Sequence, residues 1–162
     1  MTYTDRFRIE VNPKVTPEKL FSFYKRNNIC ETGYGKEKAS KVLEYSSLIV
    51  AAFEGDELVG IARAMFDGLA AAIMEFCVAI KYQGDNLRYN NGSLKEKDSL
   101  GLGRELGRVL IDELVNMGAT FITEYVVENC EEGFYKSLGF EHNTGHLVYY
   151  IDRRPYVTKG SL

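Results

Sequence analysis

Residues 101–106 read Gly-Leu-Gly-Arg-Glu-Leu and mark the point at which a glycine-rich turn passes into an amphipathic helix. Apolar residues then recur at helical spacing as far as Met117, and Gly118 is a suitable residue to end the helix. The first N–H groups of a helix have no partner within it, and the helix dipole makes them partly positive. Glycines let an anion approach these amides closely, and Arg104 adds a positive charge. The turn therefore predicts an anion site; the alternative is a tight strand-to-helix turn without a ligand.

Two common phosphate-binding motifs do not fit this turn. Gly107, the last glycine of the stretch, stands one residue too far along for the GxGxxG fingerprint of dinucleotide-binding proteins. The GxxxxGK[ST] loop of nucleoside triphosphatases is absent from the sequence. The pattern thus argues against both of these nucleotide-binding classes.

On both sides of the turn the chain alternates strand-like and helix-like segments. The predicted strands are residues 7–11, 48–53, 58–62, 70–80, 119–127 and 146–151, and the predicted helices are residues 16–27, 36–45, 102–117 and 131–137. The strand at 70–80 is apolar on both faces and is interrupted only by Glu75, which is typical of a central strand. This order predicts one mixed sheet flanked by helices, which is an α/β fold.

Length and composition predict a single globular domain over residues 1–162. Apolar residues make up 45% of the chain and charged residues 27%, which excludes a disordered protein. The net charge of −3 disfavours nucleic acid and anionic membranes as partners. Three cysteines, Cys30, Cys77 and Cys130, show no metal-ligand spacing, so we expect neither a metal site nor a disulfide framework. Without an apolar leader in residues 1–6 or a stretch of about 20 apolar residues, the expected location is cytoplasmic.

Residues 85–99 interrupt the pattern. They are polar, lack any apolar periodicity and lie between Gly84 and Gly101. We therefore expect a mobile, poorly anchored loop inserted between the strand and the helix.

Three motifs in this order resemble the GNAT superfamily of acetyl-CoA-dependent N-acetyltransferases. Residues 78–84 (VAIKYQG) followed by residues 101–106 look like its acyl-CoA-binding motif, in which a core strand runs into Gln/Arg-x-x-Gly-x-Gly/Ala and a long helix. Residues 129–140 (NCEEGFYKSLGF) resemble its second signature, an Asn followed by a Tyr and a Leu-Gly-Phe ending. The hairpin ahead of Asp67 and Gly68 also fits. The resemblance implies a central, mostly antiparallel sheet of six to seven strands with about four helices.

One departure from the family concerns the phosphate motif. In the family its two halves usually form one continuous loop, whereas here residues 85–99 separate Gln83 and Gly84 from the glycine turn. The half at the start of the helix is intact, so the resemblance still implies a cradle for a pyrophosphate there. The contribution of Gln83 is the open point.

The resemblance also implies the site residues. Tyr135 matches the tyrosine that protonates the departing thiolate, and Asn129 matches the asparagine that hydrogen-bonds the pantetheine arm; the alternatives are a structural tyrosine and a helix N-cap. A backbone amide near Cys77 and Val78 would polarise the thioester carbonyl. The remaining expected CoA-binding residues are Gln83, Gly84, Gly101, Leu102, Gly103 and Arg104.

The general base is less well defined by sequence. Glu75 is the first candidate because burial raises the pKa of a carboxyl toward the working pH. The alternative is that Glu75 faces solvent or pairs with Arg63, and Glu124 on the next strand is a second candidate.

The implied function is transfer of acetyl from acetyl-CoA, as co-substrate, directly to a primary amine of a small molecule or peptide. A non-catalytic acyl-CoA-binding or regulatory domain is the alternative, and a structural domain that binds no CoA is a third. The sequence leaves the acceptor and the oligomeric state open, with a homodimer as one option.

Overall fold

A computed structural model describes residues 6–29 and 35–153, and Cys30 lies outside these ranges. The strands are β1 (Arg8–Val11), β2 (Leu48–Glu54), β3 (Glu57–Phe66), β4 (Ala70–Val78) and β5 (Phe121–Thr123). The helices are α1 (Pro17–Arg26), α2 (Gly35–Tyr45), α3 (Leu102–Met117) and α4 (Glu132–Ser137), and a short 3-10 turn covers Ile80–Tyr82. The predicted order of elements is confirmed from β1 to α4.

Helix ends follow the local signals in the sequence. The Thr16 hydroxyl accepts a hydrogen bond from the Lys19 N–H at 3.2 Å, and Pro17 occupies the first turn of α1. Helix α3 is bounded by Gly101 and Gly118, whose φ angles are +74° and +105°. Both angles are in the left-handed region that glycine adopts without strain, so these two glycines fix where α3 begins and ends.

The five described strands form one sheet in the order β1-β2-β3-β4-β5. Neighbours from β1 to β4 are antiparallel, whereas β4 and β5 are parallel. The mixed α/β fold is therefore confirmed, with a strand count lower than the expected six to seven.

Helices cover both faces of the sheet. Glu75 of β4 accepts a hydrogen bond from Tyr24 of α1, whereas its neighbour Phe76 stacks edge-on against Phe134 of α4. Consecutive side chains in a strand point to opposite faces, so α1 and α4 lie on opposite sides. Helix α3 shares the face of α4, since Gly107 of α3 approaches Phe76.

β4 has a partner along its whole length on one side only. Its register with β3 runs from Phe66 opposite Ala71 to Gly60 opposite Val78, with a bulge at Met74. On its other side β5 pairs only with Ala70–Ala72. The C-terminal half of β4 therefore presents an edge that β5 does not cover.

The prediction of a last strand at residues 146–151 is wrong. These residues form no strand, and the side chains of Leu147, Tyr149 and Ile151 are 80%, 87% and 91% exposed. Their apolar alternation is typical of a strand, but a strand also needs a neighbour to pair with, and β5 is only three residues long.

A single asparagine joins three parts of the fold. The buried Asn27 donates from Nδ2 to the Phe23 carbonyl at 2.8 Å and accepts at Oδ1 from the Ile80 N–H at 3.0 Å. Its own carbonyl accepts the Gly92 N–H at 2.7 Å. Asn27 thus ties the end of α1 to the end of β4 and to the inserted segment.

We predict that Asn27→Ala lowers the free energy of unfolding by about 1–3 kcal/mol, because the Ile80 N–H loses its partner in a half-buried position. Urea denaturation provides the measurement. Asn116→Ala, at an exposed position of α3, is the control and should change stability by under about 1 kcal/mol. Equal effects of the two substitutions would contradict the role given to Asn27.

Candidate active site

The N-terminus of α3 holds an anion supplied by the chain itself. The Asp98 carboxylate accepts the Gly103 N–H at 2.7 Å and the Arg104 N–H at 2.8 Å, one on each oxygen. The Arg104 side chain is exposed, and Leu102 beside it is buried. The predicted anion site at this turn therefore has the required donors, and a carboxylate from the inserted segment uses them.

The two halves of the split glycine motif are neighbours in space. A side chain at Gly84 would meet Ser99 Oγ at 3.3 Å, and the Ser99 hydroxyl donates to the Tyr82 carbonyl at 3.3 Å. The Lys97 ammonium donates to the Asp85 carbonyl at 2.6 Å. The two ends of the insertion are therefore close together in space. As a result, Gly84 lies near the start of α3 although residues 85–99 separate the two halves of the motif.

Gln83 binds the insertion. It is fully buried, and its Nε2 donates to the Val78 carbonyl at 2.9 Å and to the Gly92 carbonyl at 3.4 Å. Its Oε1 is buried and has no hydrogen-bond partner among the described residues. The side chain therefore braces the end of β4 against the inserted segment.

The Val78 amide lies on the edge of β4 that β5 does not cover. Ala79 donates its N–H to Val59 of β3, and amides alternate in direction along a strand, so the Val78 N–H points away from β3. It donates to the Gly92 carbonyl at 2.9 Å. Of the two residues named from the sequence, Val78 rather than Cys77 directs its amide to the open edge.

Tyr135 lies in an aromatic cluster beside this edge. Its ring is 3% exposed and contacts Phe76, Phe134 and Phe140 edge-on, at centroid distances of 6.2, 5.2 and 5.6 Å. Burial and the nearby carboxyl of Glu124 raise the pKa of the phenol well above its ordinary value. Tyr135 is therefore protonated throughout the physiological range.

The inserted segment also places a lysine in this cluster. Lys95 is 1% exposed, and its Nζ lies 5.6 Å from the Phe76 ring centre and 5.8 Å from the Phe134 ring centre. Burial lowers the pKa of this ammonium to about 7. Lys95 therefore lies between β4 and α4, close to the cluster that contains Tyr135.

The expectation that residues 85–99 are poorly anchored is wrong. The segment has no helix or strand, but Gly92, Lys95 and Asp98 fix it to β4, the aromatic cluster and α3. These anchors are single residues without a periodic pattern. Only Asp98 leaves a signal in the sequence, because an Asp shortly before a helix is a favoured N-terminal cap.

Two glutamates lie near Tyr135. Oε2 of Glu124 is buried and has no hydrogen-bond partner within residues 6–29 and 35–153, and burial beside Glu131 raises the pKa of Glu124 to about 9. Glu131 is 4% exposed and accepts the Val127 N–H at 2.9 Å. Glu124 is therefore protonated near neutral pH.

Glu75, the first candidate base, lies on the other face of the sheet. Its Oε2 accepts hydrogen bonds from the Tyr24 hydroxyl, at 2.7 Å, and from Arg63, with which it forms a buried ion pair. Its Oε1 accepts from Cys77 Sγ at 3.5 Å. Of the alternatives considered from the sequence, the pair with Arg63 is the one the structure shows.

Asn129 lies in the loop before α4. It is exposed, with φ of +59°, and its N–H donates to Glu132 Oε1 at 3.0 Å. Its carbonyl accepts from Arg88 of the insertion at 3.4 Å. The insertion therefore reaches from β4 across to the loop before α4.

The described residues include no cluster of three or more His, Cys, Asp or Glu suited to a metal ion. None of the helices in those ranges has the length and apolar character needed to cross a membrane. An open apolar cavity of about 320 Å³ lies at the N-terminal end of β4, where that strand pairs with β5, and its lining includes Phe66 and Phe121.

No protein-family model matches the sequence, and no curated protein matches it. Solved structures, however, share its fold. A probable acetyltransferase of unknown function from methicillin-resistant Staphylococcus aureus superposes with a TM-score of 0.69 over 90% of this chain and 98% of its own, at 16% identity. A GNAT-family acetyltransferase from Streptococcus pneumoniae gives 0.60 over 91% and 99%, at 22% identity.

A third similar structure is that of AAC(6′)-Iy in complex with the bisubstrate analogue CoA-S-monomethyl-acetylneamine. It gives a TM-score of 0.63 over 91% of this chain and 99% of its own, at 14% identity. The chain therefore has the fold of the GNAT acetyltransferases.

We predict that wild-type stability falls, relative to Glu124→Gln, as the pH rises from about 4.5 to about 9. In this window the folded protein keeps the Glu124 proton and the unfolded chain loses it, so the slope reaches about 1.4 kcal/mol per pH unit. Denaturant titrations at several pH values measure it. Glu128→Gln, at an exposed position, should run parallel to wild type, and a parallel Glu124→Gln curve would refute the assignment.

We predict that Glu75→Gln lowers the free energy of unfolding by about 3 kcal/mol, because it leaves the buried Arg63 guanidinium without its counter-charge. Glu44→Gln, at an exposed position of α2, should be nearly neutral. If Glu75→Gln instead keeps full stability and loses only turnover, Glu75 is the base expected from the sequence and not the centre of an ion pair.

Proposed function

We propose that this protein is an acetyl-CoA-dependent N-acetyltransferase that transfers acetyl directly to a primary amine of a small molecule or peptide. The observation that carries the proposal is the pair of amides of Gly103 and Arg104, which hold the Asp98 carboxylate at the start of α3. An amide pair that binds one anion has the charge and geometry to bind a phosphate oxygen. The GNAT fold and the position of Tyr135 support the same function.

The donor set fits the anionic part of acetyl-CoA. Gly101 and Gly103 carry no side chain, and at Gly103 a Cβ would come within 3.1 Å of Phe134 and 3.2 Å of Asp98 Oδ1. Glycine at position 103 therefore keeps a side chain out of the place where the anion is bound. The exposed Arg104 guanidinium adds a charge-assisted hydrogen-bond donor. Gly84 lies nearby, against Ser99 at the end of the insertion.

The reacting end of the co-substrate is assigned to the open edge of β4. Acetyl-CoA supplies a thioester, whose acetyl group passes to the amine nitrogen as the C–S bond breaks and the sulfur leaves as a thiolate. The Val78 N–H is aimed at this edge and would stabilise negative charge on the carbonyl oxygen. Tyr135 keeps its proton and would donate it to the sulfur.

The amine has to lose a proton before or during transfer. Glu75 is engaged by Tyr24 and Arg63 on the opposite face, and Glu124 is protonated near neutral pH. We infer that the acceptor amine reacts in its neutral form and loses its second proton to solvent. One structure with this fold is that of an aminoglycoside acetyltransferase in complex with sisomicin, and we propose an acceptor amine for this chain as well.

The alternative function is a non-catalytic domain that binds acyl-CoA. The split of the phosphate motif by residues 85–99 favours this alternative, because the two halves usually form one continuous loop in the GNAT enzymes. An assay of acetyl-CoA consumption with a panel of primary amines distinguishes the two functions. The release of free thiol measures the consumption. Binding of acetyl-CoA without any thiol release would identify the non-catalytic domain.

We predict that Tyr135→Phe lowers turnover by about 100-fold, because a phenylalanine cannot protonate the leaving thiolate. The affinity for CoA and the melting temperature should change little, since the ring and its aromatic contacts are kept. Steady-state kinetics with calorimetric binding make the comparison. Tyr125→Phe, at a 70% exposed position, is the control.

Normal turnover of Tyr135→Phe together with a large loss of stability would make Tyr135 a structural residue. The fold would be unaffected by that outcome, but the assigned proton donor would be lost.

A further inference from the structure

The inserted segment contacts each of the three regions assigned to acyl-CoA. Asp98 binds the amides at the start of α3, and the Gly92 carbonyl accepts the Val78 N–H at the open edge of β4. Lys95 lies between β4 and α4, beside the rings that surround Tyr135. One segment of 15 residues therefore occupies the phosphate end, the strand edge and the aromatic cleft together.

The contact at α3 excludes a second anion. The Gly103 and Arg104 amides each donate to one oxygen of Asp98, at 2.7 and 2.8 Å. A phosphate that used the same amides would bring its negative charge against the carboxylate, and like charges at such range repel strongly. The segment and a diphosphate can therefore use these donors only in turn.

At β4 the inserted segment makes its contact through the backbone of Gly92. Gly92 accepts from Val78 and donates to the Asn27 carbonyl at 2.7 Å. A Cβ at Gly92 would lie 2.8 Å from Asn27 Cβ and 3.0 Å from the Val78 carbonyl oxygen, so a larger residue would push the segment off the strand. Glycine at this position lets the segment pair with the strand edge at backbone distance.

Other features oppose this arrangement. Gln83 Oε1 is buried without a partner among the described residues, which is an unfavourable state for a polar atom. The Lys95 amine is almost completely removed from water. Moving the segment away would expose the Gln83 Oε1 atom and the Lys95 amine to solvent. The burial of these two groups therefore offsets part of the favourable contacts that hold the segment at Asp98 and Gly92, which include the hydrogen bond from Gln83 Nε2 to the Gly92 carbonyl.

We propose, on the basis of the acyl-CoA site assigned above, that residues 85–99 form an autoinhibitory gate that occupies the CoA site through Asp98 and must leave it for CoA to bind. Asp98 sets the affinity of the gate because it alone supplies a charge to the anion-binding amides. The gate is built into the fold between β4 and α3, where the two halves of the phosphate motif meet.

The test compares CoA binding by wild type, Asp98→Asn and Asp85→Asn in isothermal titration calorimetry. Asp98→Asn weakens the hold of the segment on α3, whereas Asp85→Asn removes an exposed charge from the same segment. We expect Asp98→Asn to bind CoA about 5-fold more tightly than Asp85→Asn, because the neutral amide no longer places at the helix N-terminus a negative charge whose interaction has about the free energy of a 5-fold change. Melting temperatures confirm that all three proteins are folded.

Limited trypsinolysis and hydrogen exchange provide a second measurement that does not depend on the affinity. Addition of CoA to wild type should accelerate cleavage after Lys95 and Lys97 and amide exchange in residues 92–98, because the segment is released. In Asp98→Asn the same amides should exchange faster without CoA.

Equal CoA affinities of Asp98→Asn and Asp85→Asn would overturn the gate and leave the proposed function intact. Unchanged cleavage and exchange on addition of CoA would do the same. Absence of CoA binding by wild type and by Asp98→Asn would overturn the proposed function and the gate together. Binding by Asp98→Asn alone would support both.

Discussion

The structure depends on the incomplete pairing of β4. This strand is hydrogen-bonded along its whole length to β3, but β5 pairs only with Ala70–Ala72. Beyond that point the Val78 N–H faces away from β3 and requires another acceptor, because a buried backbone donor without a partner is costly. The Gly92 carbonyl is that acceptor, so the break in pairing leaves a strand edge to which the inserted segment binds.

The two faces of the sheet carry different interactions at β4. On the face of α1, Glu75 and Arg63 form a buried ion pair that Tyr24 completes. On the face of α3 and α4, Phe76 contributes to the aromatic cluster around Tyr135. Because consecutive residues of β4 point to opposite faces, the residue suggested as a base from the sequence and the proposed acid do not share a cleft. The electrostatics of the cleft arise instead from Glu124, Glu131 and Lys95.

Much of the fold could be predicted from local signals. Gly101 and Gly118 mark the ends of α3, Thr16 and Pro17 mark the start of α1, and the apolar run at 70–80 marks β4. That strand is the fourth of the five described strands and not the central one, and β5 pairs only with Ala70–Ala72. Each of these helix ends and the position of this strand depend on the conformational preference of one residue or on the hydrophobic periodicity of a few neighbouring residues. The last strand was wrongly predicted, since whether residues 146–151 pair is a tertiary property that their alternation does not contain.

The candidate site could be predicted only in part. The glycine turn and Tyr135 are visible as motifs, whereas the roles of Gly92, Lys95 and Asp98 depend on how a non-periodic segment folds back on β4 and α3. The position of Glu75 in an ion pair could be considered from the sequence but not decided, because it depends on the register that puts Arg63 opposite it.

The central claim is that the amides at the start of α3 bind either Asp98 or the phosphates of CoA. A titration of the isotopically labelled protein with CoA, followed through the amide resonances of Gly103, Arg104 and Val78, tests it most directly. The account predicts that these three resonances move together with those of residues 92–98 and saturate at one CoA per chain. Binding of CoA that leaves the Gly103 and Arg104 resonances unmoved would contradict it.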